Sequence, residues 1–244
     1  MKAAIGLLRP LDAAQRSAAR LHSMGYLAAF APVTQIVASG AQPPGGAFDA
    51  ILATSARAFA FLSDEDRARF ASTRLFAVGE ATLAAARSSG LAGAGVDALE
   101  AHELEQLLIA QAPPGARLLY LAARDRKPRL ERALAAAGIR VEIVEIYRAE
   151  ARPAWSADEA RAVCDCAAVL HYSHRSAGLG LELAARAGFG EGFRALPHIC
   201  LSSDVAAPLV NAGARTVGVA GEPRERALFA ALQAEMERKG KPTV

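Results

Sequence analysis

The chain has 244 residues, of which 52% are hydrophobic and 22% are charged, so it is long enough for one large or two small domains and too apolar for a disordered protein. Its net charge of +3 is too small to indicate nucleic-acid binding and is compatible with an anionic small molecule. Three cysteines do not make a disulfide framework, no signal peptide is evident, and no run of about 18 apolar residues predicts a membrane span, so we expect a cytoplasmic protein without membrane contact.

Short apolar segments alternate along the chain with helix-length segments, several of which end at a glycine. Up to Tyr147 the pattern predicts strands over 3–8, 26–31, 50–53, 75–78, 117–121 and 141–147. Between them it predicts helices over 11–24, up to 62, a short helix after the Ser63 cap, and further helices over 81–88, 103–111 and 128–137. After Tyr147 the same alternation restarts. It predicts strands over 167–172, 199–201 and 216–220, with helices over 156–163, 176–186, 205–211 and 224–238.

Alternating strands and helices with short connections predict an α/β protein with parallel sheets. Roughly ten strands are too many for one open sheet, so two doubly wound, flavodoxin-like lobes with a cleft between them fit better. An internal similarity supports two lobes: residues 52–58 resemble 170–176, and residues 76–82 resemble 199–205, with Gly90 and Gly213 at the same distance downstream.

Ligands of parallel sheets bind beyond the carboxyl ends of the strands, next to helix N-termini. The residues at those places are hydroxyl side chains, bare backbone amides and arginines, with few acids. They are Arg9, Thr54, Ser55, Gly79, Thr82, Arg124, Arg126, Ser173, Ser202 and Ser203. Such a set suits a ligand with several carboxylates. The alternative, that the hydroxyls only cap helices and the arginines are solvated, stays open for each residue taken singly.

Other patterns exclude some functions. The glycine fingerprints of dinucleotide and P-loop sites are missing, which disfavours a nucleotide-binding oxidoreductase. Cys164 and Cys166 lack a second pair, and His171 and His174 lack a third ligand, so we expect no metal site and place His171 in the core or a cleft wall. Tyr147 ends an apolar strand; facing a cleft, its phenol could donate a proton to a leaving hydroxyl.

The chain resembles the uroporphyrinogen-III synthases of tetrapyrrole (haem) biosynthesis nearly from end to end. The resemblance rests on residues 7–10, 51–58, 77–82 with Gly90, 118–124 through Gly138 to Tyr147, 168–173 and Gly213. Two segments depart from the family pattern: Ser202-Ser203-Asp204-Val205-Ala206 stands where Gly-x-x-Thr-Ala is usual, and His174 follows Ser173 in place of proline or alanine.

The resemblance implies two flavodoxin-like lobes joined by a two-stranded linker. Residues 1–35 and 150–244 would form the first lobe and residues 36–149 the second, with linker strands near 32–39 and 147–153. The residues alone would have suggested consecutive lobes.

The resemblance also implies a lyase whose substrate, hydroxymethylbilane, is a linear tetrapyrrole with eight carboxylates. The enzyme would remove its hydroxyl as water and close the ring with ring D inverted, using no metal or organic cofactor, as a monomer. Tyr147 would assist departure of the hydroxyl, and the ten residues above would bind the substrate. The alternative is a non-catalytic two-lobed binding protein for an acidic small molecule.

Overall fold

The computed structural model describes residues 2–112, 115–126 and 128–240. The strands in these residues are β1 (Ala4–Leu7), β2 (Leu27–Phe30), β3 (Thr34–Ala38), β4 (Ala50–Ala53), β5 (Arg74–Val78), β6 (Gly95–Ala98), β7 (Leu118–Ala123), β8 (Val141–Ala151), β9 (Ala168–His171), β10 (Pro197–Cys200) and β11 (Thr216–Val219). The helices are α1 (Leu11–Ser23), α2 (Arg57–Ala60), α3 (Asp64–Phe70), α4 (Glu80–Ser88), α5 (Ala101–Gln111), α6 (Arg129–Ala136), α7 (Ala157–Cys164), α8 (His174–Arg186), α9 (Gly190–Ala195), α10 (Ser203–Asn211) and α11 (Glu225–Gly240).

The chain divides into two compact units. Unit 1 comprises Met1–Gln35 and Glu150–Val244, and unit 2 comprises Ile36–Ala149. Both boundaries fall inside strands, β3 and β8, which are neighbours in one sheet. None of the described helices combines the length and apolarity that crossing a membrane requires.

Each unit contains one sheet. The first has the order β11-β10-β9-β1-β2 and the second the order β3-β8-β7-β4-β5-β6. The neighbouring strands from β11 to β2 pair in parallel, as do those from β8 to β6. The fold is therefore α/β with parallel sheets, as the alternating sequence pattern predicts.

The two units share one strand arrangement with different starting strands. Numbered along the chain, the strands of unit 1 have the flavodoxin order 2-1-3-4-5. Counted from β9 instead, the same sheet reads 3-2-1-4-5, which is the order of β4 to β8 in unit 2. This correspondence matches β9 with β4 and β10 with β5, the strands whose sequences resemble each other.

Helices cover both faces of each sheet, and the central strands are therefore buried on both sides. All four residues of β4 are buried; Ile51 and Ala53 enter one apolar cluster, and Ala50 and Leu52 enter another. In unit 1, β9 divides in the same way between two clusters. Such two-sided burial is what doubly wound sheets require of a strand.

The elements differ from the sequence-based expectations in a few places. Strand β6 and helix α9 were not expected; each is short and contains or begins at glycines, which weaken the apolar periodicity. The helix expected up to residue 62 is the four-residue α2, because Ser63 already caps α3 through its contact with the Asp66 N–H. Strand β8 runs four residues beyond its expected end at Tyr147.

We expect Gly93→Ala to lower the free energy of unfolding by about 2 kcal/mol, because a β-carbon there would lie 1.9 Å from the backbone oxygen of Thr73. The control is Gly45→Ala, whose β-carbon would meet nothing within 4 Å. Urea denaturation of the two variants measures the difference. Equal midpoints would show that the segment before β6 moves aside freely.

Candidate functional site

Unit 2 brings most of its predicted site residues to one edge of the sheet. Thr54 and Ser55 follow β4, Gly79 follows β5, and Arg124 and Arg126 follow β7. Because β7, β4 and β5 are adjacent and parallel, their carboxyl ends meet at the same edge.

The hydroxyl of Thr54 is held by a tyrosine that sequence reasoning missed. Its Oγ1 lies 3.0 Å from the hydroxyl oxygen of Tyr120, the third residue of β7. Tyr120 is 4% exposed, and this burial raises its pKa, although the hydrogen bond to Thr54 offsets part of the effect. Thr54 and Tyr120 thus form a neutral pair that joins the carboxyl end of β4 to the middle of the neighbouring strand β7.

The arginines after β7 are paired with the chain's own carboxylates. Arg126 donates to Glu131 at 2.5 Å and to Glu145 at 2.9 Å, and its guanidinium lies 5.8 Å from the centre of the Tyr120 ring. Burial alone would lower the pKa of Arg126, but these two hydrogen bonds raise it overall. Arg124 is half exposed and lies 3.4 Å from Glu145. Two acids that do not follow a strand, Glu131 of α6 and Glu145 of β8, therefore neutralise the arginines at this edge.

A bulge positions Tyr147. Along β7 and β8, Ala122 pairs with Glu145 but Ala123 pairs with Tyr147, so one extra residue is inserted in β8. As a result, Ile146 and Tyr147 are consecutive yet enter the same apolar cluster. Tyr147 is 7% exposed, and its ring stacks on Phe61 with centroids 5.9 Å apart. Its phenol is also close enough to Tyr120 to contribute to that residue's raised pKa.

Gly79 and Thr82 are less available than the sequence suggests. Gly79 has a φ of +81°, a conformation that favours glycine, and its N–H donates to the Ala98 carbonyl at 2.7 Å. The Thr82 side chain is only 5% exposed. The Ser55 hydroxyl accepts from the Arg57 N–H at 3.4 Å. The expectation of an unused backbone amide at Gly79 is therefore wrong. That amide extends the hydrogen bonding between β5 and β6 by one residue.

In unit 1 the predicted serines lie at helix starts beside β9 and β10. Ser173 caps α8 by accepting from the Ser176 N–H at 3.1 Å, and Ser202 caps α10 by accepting from the Val205 N–H at 3.4 Å. Ser203 is the exposed first residue of α10. For Ser173 and Ser202 the structure thus shows the capping role that the sequence left open.

Arg9, which follows β1, belongs to a polar cluster centred on Glu225. Glu225 Oε1 accepts hydrogen bonds from Arg9 Nη1 at 3.0 Å, from the Ser17 hydroxyl at 2.6 Å and from the Tyr172 hydroxyl at 3.0 Å. Arg20 pairs with the other oxygen, Oε2. We call these five residues the Glu225 cluster.

Burial and charge within the Glu225 cluster determine its protonation. The Arg9 guanidinium lies 3.9 Å from the centre of the Tyr172 ring. Burial raises the pKa of Tyr172 to about 12, so its phenol stays protonated and remains a donor. Burial alone would raise the pKa of Glu225, but the hydrogen bonds from Ser17 and Tyr172 and the charges of Arg20 and Arg9 bring it below its ordinary value. Glu225 is therefore a carboxylate at neutral pH.

His171 belongs to the core, one of the two places expected for it. It is fully buried, and its Nε2 lies 2.9 Å from Nδ1 of His198, whose Nε2 lies 2.9 Å from the Phe193 carbonyl oxygen. Because that carbonyl can only accept, the arrangement fixes two neutral imidazoles that each donate from Nε2. His174 is instead exposed, with Nδ1 2.9 Å from the Asp204 carbonyl oxygen. Among the described residues, no three His, Cys, Asp or Glu side chains cluster as metal ligands would.

Sequence reasoning missed Ser17, Arg20, Tyr120, Tyr172 and Glu225. One signal was available: Ser17 lies on the apolar face of α1 and is fully buried in the structure. A buried hydroxyl needs a partner, and Glu225 supplies it from 208 residues away.

Comparison with known proteins agrees with the fold. The sequence model of the family described as uroporphyrinogen-III synthase HemD matches residues 15–230. A crystal structure of uroporphyrinogen-III synthetase from Helicobacter pylori 26695 has a TM-score of 0.53 and 16% identity, covering 96% of this chain and 99% of that one. A mutant uroporphyrinogen III synthase from the extremely thermophilic bacterium Thermus thermophilus is 17% identical with a TM-score of 0.44, covering 97% of this chain and 99% of that one.

At identities of 16% and 17% the structural similarity supports the fold alone. No curated protein sequence matches the chain. The family match, however, extends over most of the sequence. The chain therefore belongs to the uroporphyrinogen-III synthase HemD family.

Proposed function

We propose that the protein is a uroporphyrinogen-III synthase, a lyase that converts hydroxymethylbilane to uroporphyrinogen III in haem biosynthesis. The observation that carries this proposal is the family match over residues 15–230. We further propose that it acts in the cytoplasm as a monomer, with the linear tetrapyrrole as its small-molecule partner and without a metal or organic cofactor.

The reaction explains why the site needs hydroxyls and cations. Loss of the substrate hydroxyl as water leaves an electrophilic azafulvene, and spontaneous closure at the free carbon of ring D gives the type I isomer. The enzyme must direct attack from the substituted carbon instead, through a spiro intermediate that inverts ring D. Its main task is to hold a flexible chain in one folded geometry.

The substrate's eight carboxylates supply the means of holding it. We propose that they bind at the carboxyl edges of the two sheets, to Thr54, Ser55, Thr82, Arg124 and Arg126 in unit 2 and to Arg9, Ser173, Ser202 and Ser203 in unit 1. Arginine forks and helix N-termini are the groups that bind carboxylates best in proteins. The starts of α8 and α10 support this, because the bond from His174 to the Asp204 carbonyl joins them side by side.

We assign the proton donor role to Tyr147. A phenol donates the proton that lets the hydroxyl leave as water, and it recovers a proton from the medium or from the closing ring. Its stacking on Phe61 fixes the ring, and the nearby pair of Tyr120 and Thr54 gives that end of the site a second buried phenol.

Product analysis tests the proposed function. Hydroxymethylbilane is generated in situ, the purified protein is added, and the oxidised porphyrins are separated by chromatography. We expect predominantly type III product. Type I alone, formed at the spontaneous rate in the presence of folded protein, would reject the synthase and leave a binding protein for an acidic small molecule.

A further inference from the structure

The Glu225 cluster has the composition of a binding site for a carboxylate. Four side chains, two from α1 and one each from the segments that follow β1 and β9, direct their donors at a single carboxylate, whose side chain is 21% exposed. Ser17 is completely buried, so its hydroxyl is committed to this place. The occupant, Glu225, comes from the first residue of α11, more than 200 residues along the chain from Arg9.

The charge of the Glu225 cluster differs from that of the arginines that follow β7 in unit 2. Arg9 and Arg20 share one carboxylate, which leaves one positive charge in excess. In unit 2 two arginines, Arg124 and Arg126, share two carboxylates. The cluster after β1 is therefore the better place for an additional or replacement anion.

We propose that Arg9, Arg20, Ser17 and Tyr172 form a carboxylate-binding site at which a carboxylate of the substrate replaces Glu225. The proposal rests on the proposed function for the identity of the ligand. Glu225 follows the non-helical residues 221–224, so its side chain can leave by rotation at the end of a helix. The exchange replaces one carboxylate by another, so the hydrogen bonds lost and gained are of the same kind.

The driving force for the exchange comes from multivalency. A ligand with many carboxylates, bound already at other edge residues, presents the next one at a high effective concentration. Glu225 then acts as a competing internal ligand that keeps the donors in place when no substrate is bound. Its removal should strengthen substrate binding, whereas removal of a donor should weaken it.

Uroporphyrin I, a stable tetrapyrrole with eight carboxylates, serves as the probe in fluorescence titrations at fixed ionic strength. We expect Glu225→Gln to tighten binding about tenfold and Arg9→Gln to weaken it by a similar factor. The matched control is Glu222→Gln, which removes an exposed carboxylate three residues away that pairs only loosely with Arg224 at 3.6 Å. The control should change binding by less than about twofold.

If Glu225 only held the donor side chains in place, Glu225→Gln would weaken probe binding, which is the opposite of the expected result. If Glu225→Gln binds the probe no more tightly than Glu222→Gln does, the exchange is rejected. A second variant, Glu225→Ala, tests the site even if the substitution loosens α11. In this variant propionate should raise the melting temperature more than chloride does at equal concentration. In the unchanged protein, where Glu225 occupies the site, the two salts should have the same effect. No specific effect of propionate would also reject the site.

The outcome separates this proposal from the proposed function. Type III product from the unchanged protein, together with weaker probe binding by Glu225→Gln, would keep the synthase and reject the exchange. Type I product alone, together with tighter binding by Glu225→Gln, would reject the synthase and keep the carboxylate site.

Discussion

Tyr147→Phe is expected to lower the rate of type III formation by about 10²-fold, the usual contribution of a positioned proton donor. The substitution removes only the hydroxyl, and the ring that stacks on Phe61 remains. Spontaneous closure continues at its own rate, so the product should shift from type III towards type I. The assay is the initial rate of each isomer, measured by chromatography of the oxidised porphyrins.

The control for Tyr147 is Tyr26→Phe, which removes a phenol from a partly buried tyrosine in the other unit. We expect that variant to keep the unchanged rate and isomer ratio. Thermal unfolding of both variants separates a lost proton donor from a damaged core, since Tyr147 is 7% exposed and lies in an apolar cluster. A normal type III rate in Tyr147→Phe would remove the phenol from the chemistry.

The parallel sheets were predictable because each central strand is a short apolar run that ends at a polar turn. β4 and β9 are the plainest examples: both are four residues long and buried throughout. β6 was not predictable in this way, because its sequence is Gly-Val-Asp-Ala and it is a sheet edge with one paired neighbour. A strand with so little apolar surface leaves no periodic signal.

The sequence predicted where in the sheets the candidate site residues lie, but it did not predict which side chains they contact. The rule that ligands bind at the carboxyl ends of parallel strands selected Arg9, Thr54 and Arg126 from local sequence alone. It could not supply Glu225 for Arg9 or Tyr120 for Thr54, since these partners come from other strands or helices. Nor could periodicity reveal the bulge, which turns Tyr147 to the same face as Ile146.

The two buried histidines have a consequence for stability at mildly acid pH. Burial lowers the pKa of His171 well below its ordinary value and lowers that of His198 to about 4. In the unfolded chain both titrate near pH 6.5. Above that pH they are neutral in both states and their full contribution to stability is present. Below that pH the imidazoles bind protons in the unfolded chain but stay neutral in the folded protein, so protonation favours the unfolded state.

We therefore expect the free energy of unfolding to fall by about 2 kcal/mol between pH 7 and pH 5 through His198, with a further loss in the same direction through His171. Urea denaturation at a series of pH values measures the slope, and ring proton NMR measures the folded pKa values directly. The control is His102→Gln, which removes an exposed imidazole that lies 3.5 Å from Glu100 and should leave the slope nearly unchanged. Titration of both buried rings above pH 6, or equal stability at pH 7 and pH 5, would contradict a pair held neutral by burial. Because a small domain is stable by only about 5–15 kcal/mol, a loss of this size would make unit 1 the acid-labile part of the molecule.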